Sequence, residues 1–153
     1  MVLVIWFFSK GFCNFDKRSL CTWTNRKDDD FDWTIQHNGT PSRGTGPTRD
    51  HTLGTSSGYY VYIETSRPRT TGHKAYLQSA TFPANNNNPQ CFKFWYSMNG
   101  NTIGMLNVYI ATNVTTASAT KTKLWTLKGK QGPAWHAGQF TAQSSTEFQV
   151  SIF

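Results

Sequence analysis

The sequence has few of the side chains that perform acid–base or metal chemistry. Its two glutamates are Glu64 and Glu147, and no strand-like segment carries the closely paired carboxylates that a glycosidase needs. No serine lies in a nucleophile elbow. The histidines are scattered without the H-E-x-x-H spacing of a zinc protease: His37, His51, His73 and His136. We therefore predict no catalytic residue and no enzyme activity.

Long hydrophobic runs are also missing. The apolar run Val2–Phe8 is too short to span a bilayer, and no other segment could cross a membrane. The run resembles the hydrophobic part of a signal peptide, but it lacks a basic segment before it and a small-residue cleavage site after it. We interpret residues 1–12 as an uncertain leader, from a truncated signal or a mispredicted gene start. The predicted domain then spans residues 13–153.

Sustained helical periodicity is absent as well. Aromatic residues make up 15% of the chain, and large aromatic and β-branched side chains suit a pleated surface. Short runs between turn residues predict strands at Gly58–Ser66, Lys74–Phe82, Cys91–Met98, Ile103–Ala111, Leu124–Leu127, Trp135–Thr141 and Phe148–Phe153. Period-two alternation predicts shared faces for Ala75, Leu77 and Ser79, for Phe92, Phe94, Tyr96 and Met98, and for Leu106, Val108 and Ile110. This pattern indicates an all-β protein, either an antiparallel sandwich or a barrel.

Cysteine is scarce, with Cys13, Cys21 and Cys91 as the three examples. Their spacing is not that of a zinc site, which uses close pairs. A disulfide between Cys13 and Cys21 could close a short loop. Cys91 would then have no partner in this sequence. In an oxidising compartment an odd cysteine indicates an intermolecular bond, a free thiol or a missing partner.

Acidic residues are few, yet half of the eight lie together as Asp28, Asp29, Asp30 and Asp32. We predict a short strand here in which Phe31 and Trp33 point inward and the acids at 30 and 32 face water. Exposed acids also discourage pairing with another chain.

Two turn-rich loops stand out. The segment Gln36–Ser57 is rich in Gly, Thr, Pro and Ser, and a loop of that length is usually functional or tied down. We expect it to be tied at Asp50 and His51. Asn85–Asn88 is predicted to be an exposed hairpin tip.

Three strings carry a resemblance to a known family: "LCTWTNRKDDDFDWT", "GTPSRGTGPTRDHT" and "GYYVYIETS". In this order, and followed by "CFKFWYSMNGNTIGMLNVYI" and "LWTLKGKQGPAWH", they resemble the MAM domain, an extracellular module. The resemblance covers roughly residues 13–153. It implies a jelly-roll β-sandwich of two antiparallel sheets and a disulfide between Cys13 and Cys21. It also implies that the partner of Cys91 lies beyond Phe153, so we expect a domain truncated before its last strand and fourth cysteine.

The resemblance further implies a structural cation such as Ca²⁺, held by carboxylates of the opening motif and the D-H-T loop. Here these are Asp16 and Asp50. The alternative is that residues 28–30 form a solvated turn and that Asp50 caps nearby backbone groups. No other cofactor is expected.

The exposed or buried state of the aromatic residues separates two further alternatives. A set of rings could line a sugar-binding face, or it could pack between the sheets, which is what the resemblance favours. The set is Trp23, Trp33, Trp95, Trp125, Trp135, Tyr59 and Tyr60.

A net charge of +7 favours attraction to acidic partners such as sulfated glycans. No nucleic-acid-binding signature is present, and we predict no nucleic-acid partner. The densest basic run comprises Lys121, Lys123, Lys128 and Lys130, which we interpret as a solvated strand face and turn. Asn38 and Asn113 begin sequons and are candidate glycosylation sites.

The predicted function is protein–protein recognition or adhesion in the extracellular space, as part of a secreted or membrane-anchored protein. Partners would be extracellular protein domains, including a second copy of this one, with membrane contact only through other parts of the full-length protein. The alternatives are a carbohydrate-binding module and a non-catalytic module of a secreted protease.

Overall fold

The computed structural model describes residues 13–113 and 120–153 in full and the backbone of residues 2–7. Within these ranges the regular secondary structure consists of strands, and no helix is long and apolar enough to cross a membrane. The strands are β1 (Val2–Phe7), β2 (Trp23–Asn25), β3 (Thr34–His37), β4 (Tyr59–Ile63), β5 (Leu77–Ser79), β6 (Gln90–Met98), β7 (Met105–Thr112), β8 (Thr120–Lys128), β9 (His136–Ala142) and β10 (Phe148–Ile152).

These strands form two five-stranded antiparallel sheets. The first sheet has the order β3-β4-β1-β6-β9, and the second has the order β2-β5-β10-β7-β8. From β4 to β7 the chain changes sheet at every connection, so neighbours in sequence lie in opposite sheets. The result is a jelly-roll β-sandwich, which confirms the predicted fold class.

The core lies between the sheets and is built by alternation along the strands. The inward residues of β6, β7 and β10 are buried: Phe92, Phe94, Tyr96, Met98, Leu106, Val108, Ile110, Phe148, Val150 and Ile152. The faces predicted for β6 and β7 are therefore confirmed. Stacked rings extend the core sideways, with centroids 4.9 Å apart for Phe92 and Phe140.

The tryptophans pack into or against this core. Trp23 and Trp33 are 3% and 2% exposed, and the indole N–H of Trp33 donates to the carbonyl of Ala75 at 2.9 Å. The other three rings of the predicted set, Trp95, Trp125 and Trp135, are half-buried against the core, whereas Tyr59 is half-buried and Tyr60 is fully buried. Of the two alternatives for these residues, core packing is the one that the structure supports.

Strand β1 was not among the strands predicted from the sequence. It lies between β4 and β6 in the first sheet, where Val2 pairs with Ile63 and Met98. Residues 2–7 thus lie in the first sheet, whereas residues 1 and 8–12 lie outside the described residues, and the interpretation of residues 1–12 as an uncertain leader stays a prediction. A continuous apolar run is typical of a buried central strand as well as of a signal segment, so the pattern alone does not separate them.

The short strand predicted around the acidic cluster is absent, because residues 28–33 are irregular and β3 begins at Thr34. Trp33 nevertheless points into the core, and Phe31 packs against it. Asp30 and Asp32 are exposed, as predicted.

Two acids of the cluster anchor the chain ahead of β5. The carboxylate of Asp29 accepts the backbone N–H of Tyr76 at 2.5 Å, and that of Asp30 accepts the N–H of Lys74 at 2.7 Å. Residues 28–30 form a bend with Asp28 and Asp30 exposed, as the solvated-turn alternative predicted, and two of the carboxylates also bind backbone groups. Backbone N–H groups beside a short strand need acceptors, and these two carboxylates supply them.

Cys13 and Cys21 form a disulfide with their Cα atoms 6.0 Å apart, as the resemblance implied. The bond closes the loop that leads into β2. Cys91, on β6, is a free and exposed cysteine. Its attribution to a missing downstream partner stays a prediction.

Truncation of a core leucine tests the sandwich. Leu77 is fully buried on β5, whereas Leu53 is 57% exposed. Leu77→Ala should lower the free energy of unfolding by about 2–5 kcal/mol, because it removes buried methyl groups and leaves a cavity. Leu53→Ala makes the same chemical change on the surface and should cost less than about 0.5 kcal/mol. Urea unfolding measures both, and equal losses would contradict this core.

Candidate functional site

The loop between β3 and β4, residues 38–58, is the longest irregular segment in the described parts of the chain. The hydroxyl of Tyr60 donates to the carbonyl of Asn38 at 2.5 Å, near the start of the loop. The indole N–H of Trp135 donates to the carbonyl of Arg49 at 2.9 Å, near its middle. The loop is therefore held against both β4 and the segment before β9.

Asp50 organises the second half of this loop. The residue is 2% exposed, and its two carboxylate oxygens accept the backbone N–H of Leu53 at 2.7 Å and of Thr55 at 3.0 Å. The N–H of Asp50 donates to the carbonyl of Thr55 at 3.0 Å. A buried carboxylate is tolerated when such donors satisfy it. We call residues 50–55 the Asp50 turn.

Gly58 makes room for this carboxylate. A Cβ atom at Gly58 would lie 2.2–2.5 Å from the carboxylate atoms of Asp50, which is far inside van der Waals contact. Any side chain at this position would have to displace Asp50. The start of β4 therefore depends on glycine for a close approach rather than for an unusual backbone conformation.

Asp16 lies next to this position in the fold. One of its oxygens accepts the N–H of Tyr59 at 3.0 Å, and the other accepts the side-chain amide of Asn14 at 2.6 Å. Asp16 accepts the N–H of Tyr59, and Asp50 lies against the neighbouring Gly58. The structure therefore brings both predicted carboxylates to the start of β4.

In this structure the carboxylates of Asp16 and Asp50 serve as hydrogen-bond acceptors. Each oxygen of the pair already accepts an N–H group, and Ca²⁺ requires six to eight oxygen ligands. Among the described residues no group of three or more His, Cys, Asp or Glu side chains could hold a metal ion. Asp50 caps the backbone, as one alternative predicted, and a cation at Asp16 and Asp50 stays a prediction.

His51 fixes the turn from its other side. Its ring stacks on Trp95 with centroids 3.8 Å apart and meets the edge of Trp135 at 6.2 Å. Burial lowers the pKa of His51 below its ordinary value, and the nearby Asp50 carboxylate opposes part of that effect. The imidazole is therefore mainly uncharged at neutral pH and packs as an aromatic ring. The expected tie at Asp50 and His51 is present.

The Asp50 turn presents an apolar side chain to solvent. Leu53, at its tip, is 57% exposed, although its own N–H is held by Asp50. A shallow hollow of about 240 Å³ lies on the same loop, lined by residues 46–49 and 133–135. The surface is thus a fixed, partly apolar protrusion without a deep pocket.

Sequence reasoning missed both Leu53 and Gly58. Asp50 followed by Gly54 is typical of a turn, and this signal could have indicated that the intervening leucine lies at a tip. No sequence signal indicates that Gly58 faces Asp50, because the contact depends on how the loop returns to β4.

The two candidate glycosylation sites differ in how much the structure describes. Asn38 is exposed beside the end of β3, and the sequon hydroxyl of Thr40 donates to the carbonyl of Thr45 at 2.9 Å. Asn113 is half-buried after β7, and the rest of its sequon lies outside the described residues. Glycosylation at either position stays a prediction.

Comparisons with known proteins place the chain in one family. The family model described as MAM domain, meprin/A5/mu, matches residues 13–153. The chain is 36% identical over 160 residues to MAM domain-containing glycosylphosphatidylinositol anchor protein 2 of Mus musculus, covering 97% of this chain and 16% of that protein. It is 36% identical over 146 residues to MAM domain-containing glycosylphosphatidylinositol anchor protein 1 of Homo sapiens, covering 93% of this chain and 15% of that protein. It is also 36% identical over 135 residues to neuropilin-1a of Danio rerio, covering 88% of this chain and 14% of that protein. The chain spans less than a fifth of the length of these curated relatives.

The contact between Gly58 and Asp50 gives a test of the site. Gly58→Ala should lower the free energy of unfolding by about 1–3 kcal/mol, because the new methyl group overlaps the buried carboxylate. Gly39→Ala is the matched control, since nothing lies within 4 Å of a Cβ there, and it should change stability by less than about 0.5 kcal/mol. Denaturant unfolding compares the two. Equal stability of both variants would show that Asp50 does not occupy this position.

Proposed function

The chain belongs to the MAM domain family, and from this premise we propose that it binds other extracellular proteins through the Asp50 turn. MAM domains are extracellular adhesion and recognition modules. This chain accordingly lies outside the cell, in a secreted protein or in the ectodomain of a membrane protein, as predicted from the sequence.

The observation that carries the proposal is the fixed exposure of Leu53. Protein interfaces draw most of their affinity from a few apolar or aromatic anchors that fill pockets on the partner. Ordering a loop on binding costs free energy, and a loop that is already ordered avoids that cost. The two hydrogen bonds to Asp50 hold the turn before any partner arrives.

The alternatives have less support among the described residues. The tryptophans proposed for a sugar-binding face are buried or packed against the core, so a lectin built on them lacks its exposed rings. The relatives named above are anchor proteins and a neuropilin, and none is named as a protease. We infer a domain without catalysis, attached to the membrane by parts of its protein outside this chain.

Substitution of Leu53 tests the proposed surface. We expect wild-type chain to bind at least one member of a panel of extracellular protein domains that includes the chain itself. Leu53→Asp should weaken that binding at least about tenfold, because it places a charge where an apolar anchor must be desolvated. Surface plasmon resonance measures both affinities.

Met105→Asp is the matched control. Met105 is 55% exposed on β7, away from the loop, so the same new charge there should leave binding within about threefold. Equal losses in both variants would contradict a role for the Asp50 turn. Binding to glycans but to no protein of the panel would contradict protein recognition.

A further inference from the structure

The outward side of the second sheet carries a continuous floor of aromatic rings. Tyr109 of β7 stacks on Phe153, which follows β10, with centroids 5.2 Å apart. Tyr76, just before β5, lies 4.4 Å from the same phenylalanine. All three rings are partly exposed. The floor thus joins residues from three neighbouring strands of the sheet.

Four cationic side chains lie over this floor at distances typical of weak cation–π contacts. The distances to the ring centroids are 5.7 Å for Lys121 and 5.2 Å for Arg26 over Tyr76, 5.8 Å for Lys123 over Tyr109, and 6.0 Å for Lys74 over Phe153. We define the basic–aromatic face as Arg26, Lys74, Tyr76, Tyr109, Lys121, Lys123 and Phe153.

The lysines of this face have no ion-pair partner in the described part of the chain. The ion pairs found there are Arg26 with Asp28 and Lys27 with Asp32. The hydrogen bond from Arg26 holds the pKa of the Asp28 carboxyl below its usual value, and Lys121 adds a smaller attraction. The acidic cluster therefore reaches the edge of the face and engages its arginine, while three ammonium groups remain available.

Two outward residues under this layer are buried. Ser151 pairs across the sheet with Tyr109, and Ala111 pairs with Lys121; the serine is 3% exposed and the alanine 4%. The long side chains around them therefore cover the sheet surface. The hydroxyl of Ser151 has no hydrogen-bond partner among the described residues, which is costly for a buried polar group.

We propose that the basic–aromatic face binds a sulfated polysaccharide. Lysine ammonium groups act as point charges that attract sulfate without requiring one orientation, and aromatic rings offer faces on which pyranose rings stack. From β5 to β8 the face spans three strand spacings, about 14 Å, on an open sheet surface that an extended polymer can cross. A sugar hydroxyl also offers Ser151 a partner when the covering side chains move.

The composition of the face favours this ligand over an acidic protein segment. Arginine is the side chain that best matches the planar carboxylates of such a segment, and the arginine of this face is already paired with Asp28. Lysines on the edge strand β8 also discourage pairing with another chain. Protection of the edge strand would explain Lys121 and Lys123. It would explain neither Lys74, which lies on the other side of the face, nor the aromatic floor.

Heparin is the probe for this proposal. At about 0.15 M NaCl the wild-type chain should bind immobilised heparin, and the double variant Lys121→Gln/Lys123→Gln should bind at least about tenfold more weakly. Lys128→Gln/Lys130→Gln removes the same charge from the far end of β8 and the turn beyond it, and should change the affinity less than about threefold. Tyr109→Ser should weaken binding with the net charge unchanged. Circular dichroism checks that each variant is folded.

Several results would overturn the proposal. Equal losses in the two lysine double variants would show attraction to net charge alone. Equal binding of desulfated heparin, or competition by polyglutamate as effective as that by heparin, would show that the ligand is not a sulfated polysaccharide.

Where a variant fails to fold, NMR titration of the wild type with a heparin oligosaccharide must shift the resonances of Tyr76, Tyr109 and Phe153. Shifts confined to other residues would contradict the site. Leu53→Asp should leave heparin binding unchanged. A failure of this proposal can therefore be distinguished from a failure of the proposed function.

Discussion

Side chains of a β-strand alternate between its two faces, and this alternation connects the core to the basic–aromatic face. On β10 the residues Phe148, Val150 and Ile152 face the other sheet, which puts Ser151 and Phe153 on the outside. The strands of the second sheet therefore place apolar side chains in the core and place the basic and aromatic side chains of the face on the opposite, outward side. A slip of one residue in pairing would exchange the two layers, so the aromatic floor can form only in the register that also fills the core.

The loop on the other sheet is governed by the burial of one charge. Asp50 can be buried only because the chain turns back to offer it the N–H groups of Leu53 and Thr55, and because Gly58 leaves it space. This requirement couples the shape of the turn to the start of β4. An exposed leucine then costs the fold little, since the turn is held by the hydrogen bonds of Asp50 and the ring contacts of His51 and not by the leucine side chain.

The parts of the fold that could be predicted are those in which the pattern is long and local. The alternation of Phe92, Phe94, Tyr96 and Met98 is visible along a single strand, and it was enough to identify β6 and its inward face. Strands β2 and β3 are three and four residues long, too short to show a period, and they were missed. The contact of Gly58 with Asp50 and the assembly of the basic–aromatic face both depend on tertiary placement, which no local pattern encodes.

The distribution of charge explains why a basic protein concentrates its few acids. Asp16, Asp29, Asp30 and Asp50 each accept a backbone N–H group, so these carboxylates hold irregular segments in place, and Asp16 also ties one to β4. Charge-assisted bonds of this kind are stronger than neutral ones. Among the described residues, Lys74, Lys121 and Lys123 of the basic–aromatic face have no ion-pair partner, and all three are exposed. Carboxylates therefore build the structure, while the lysine charge on β8 is the feature on which the proposed binding of a sulfated polysaccharide rests.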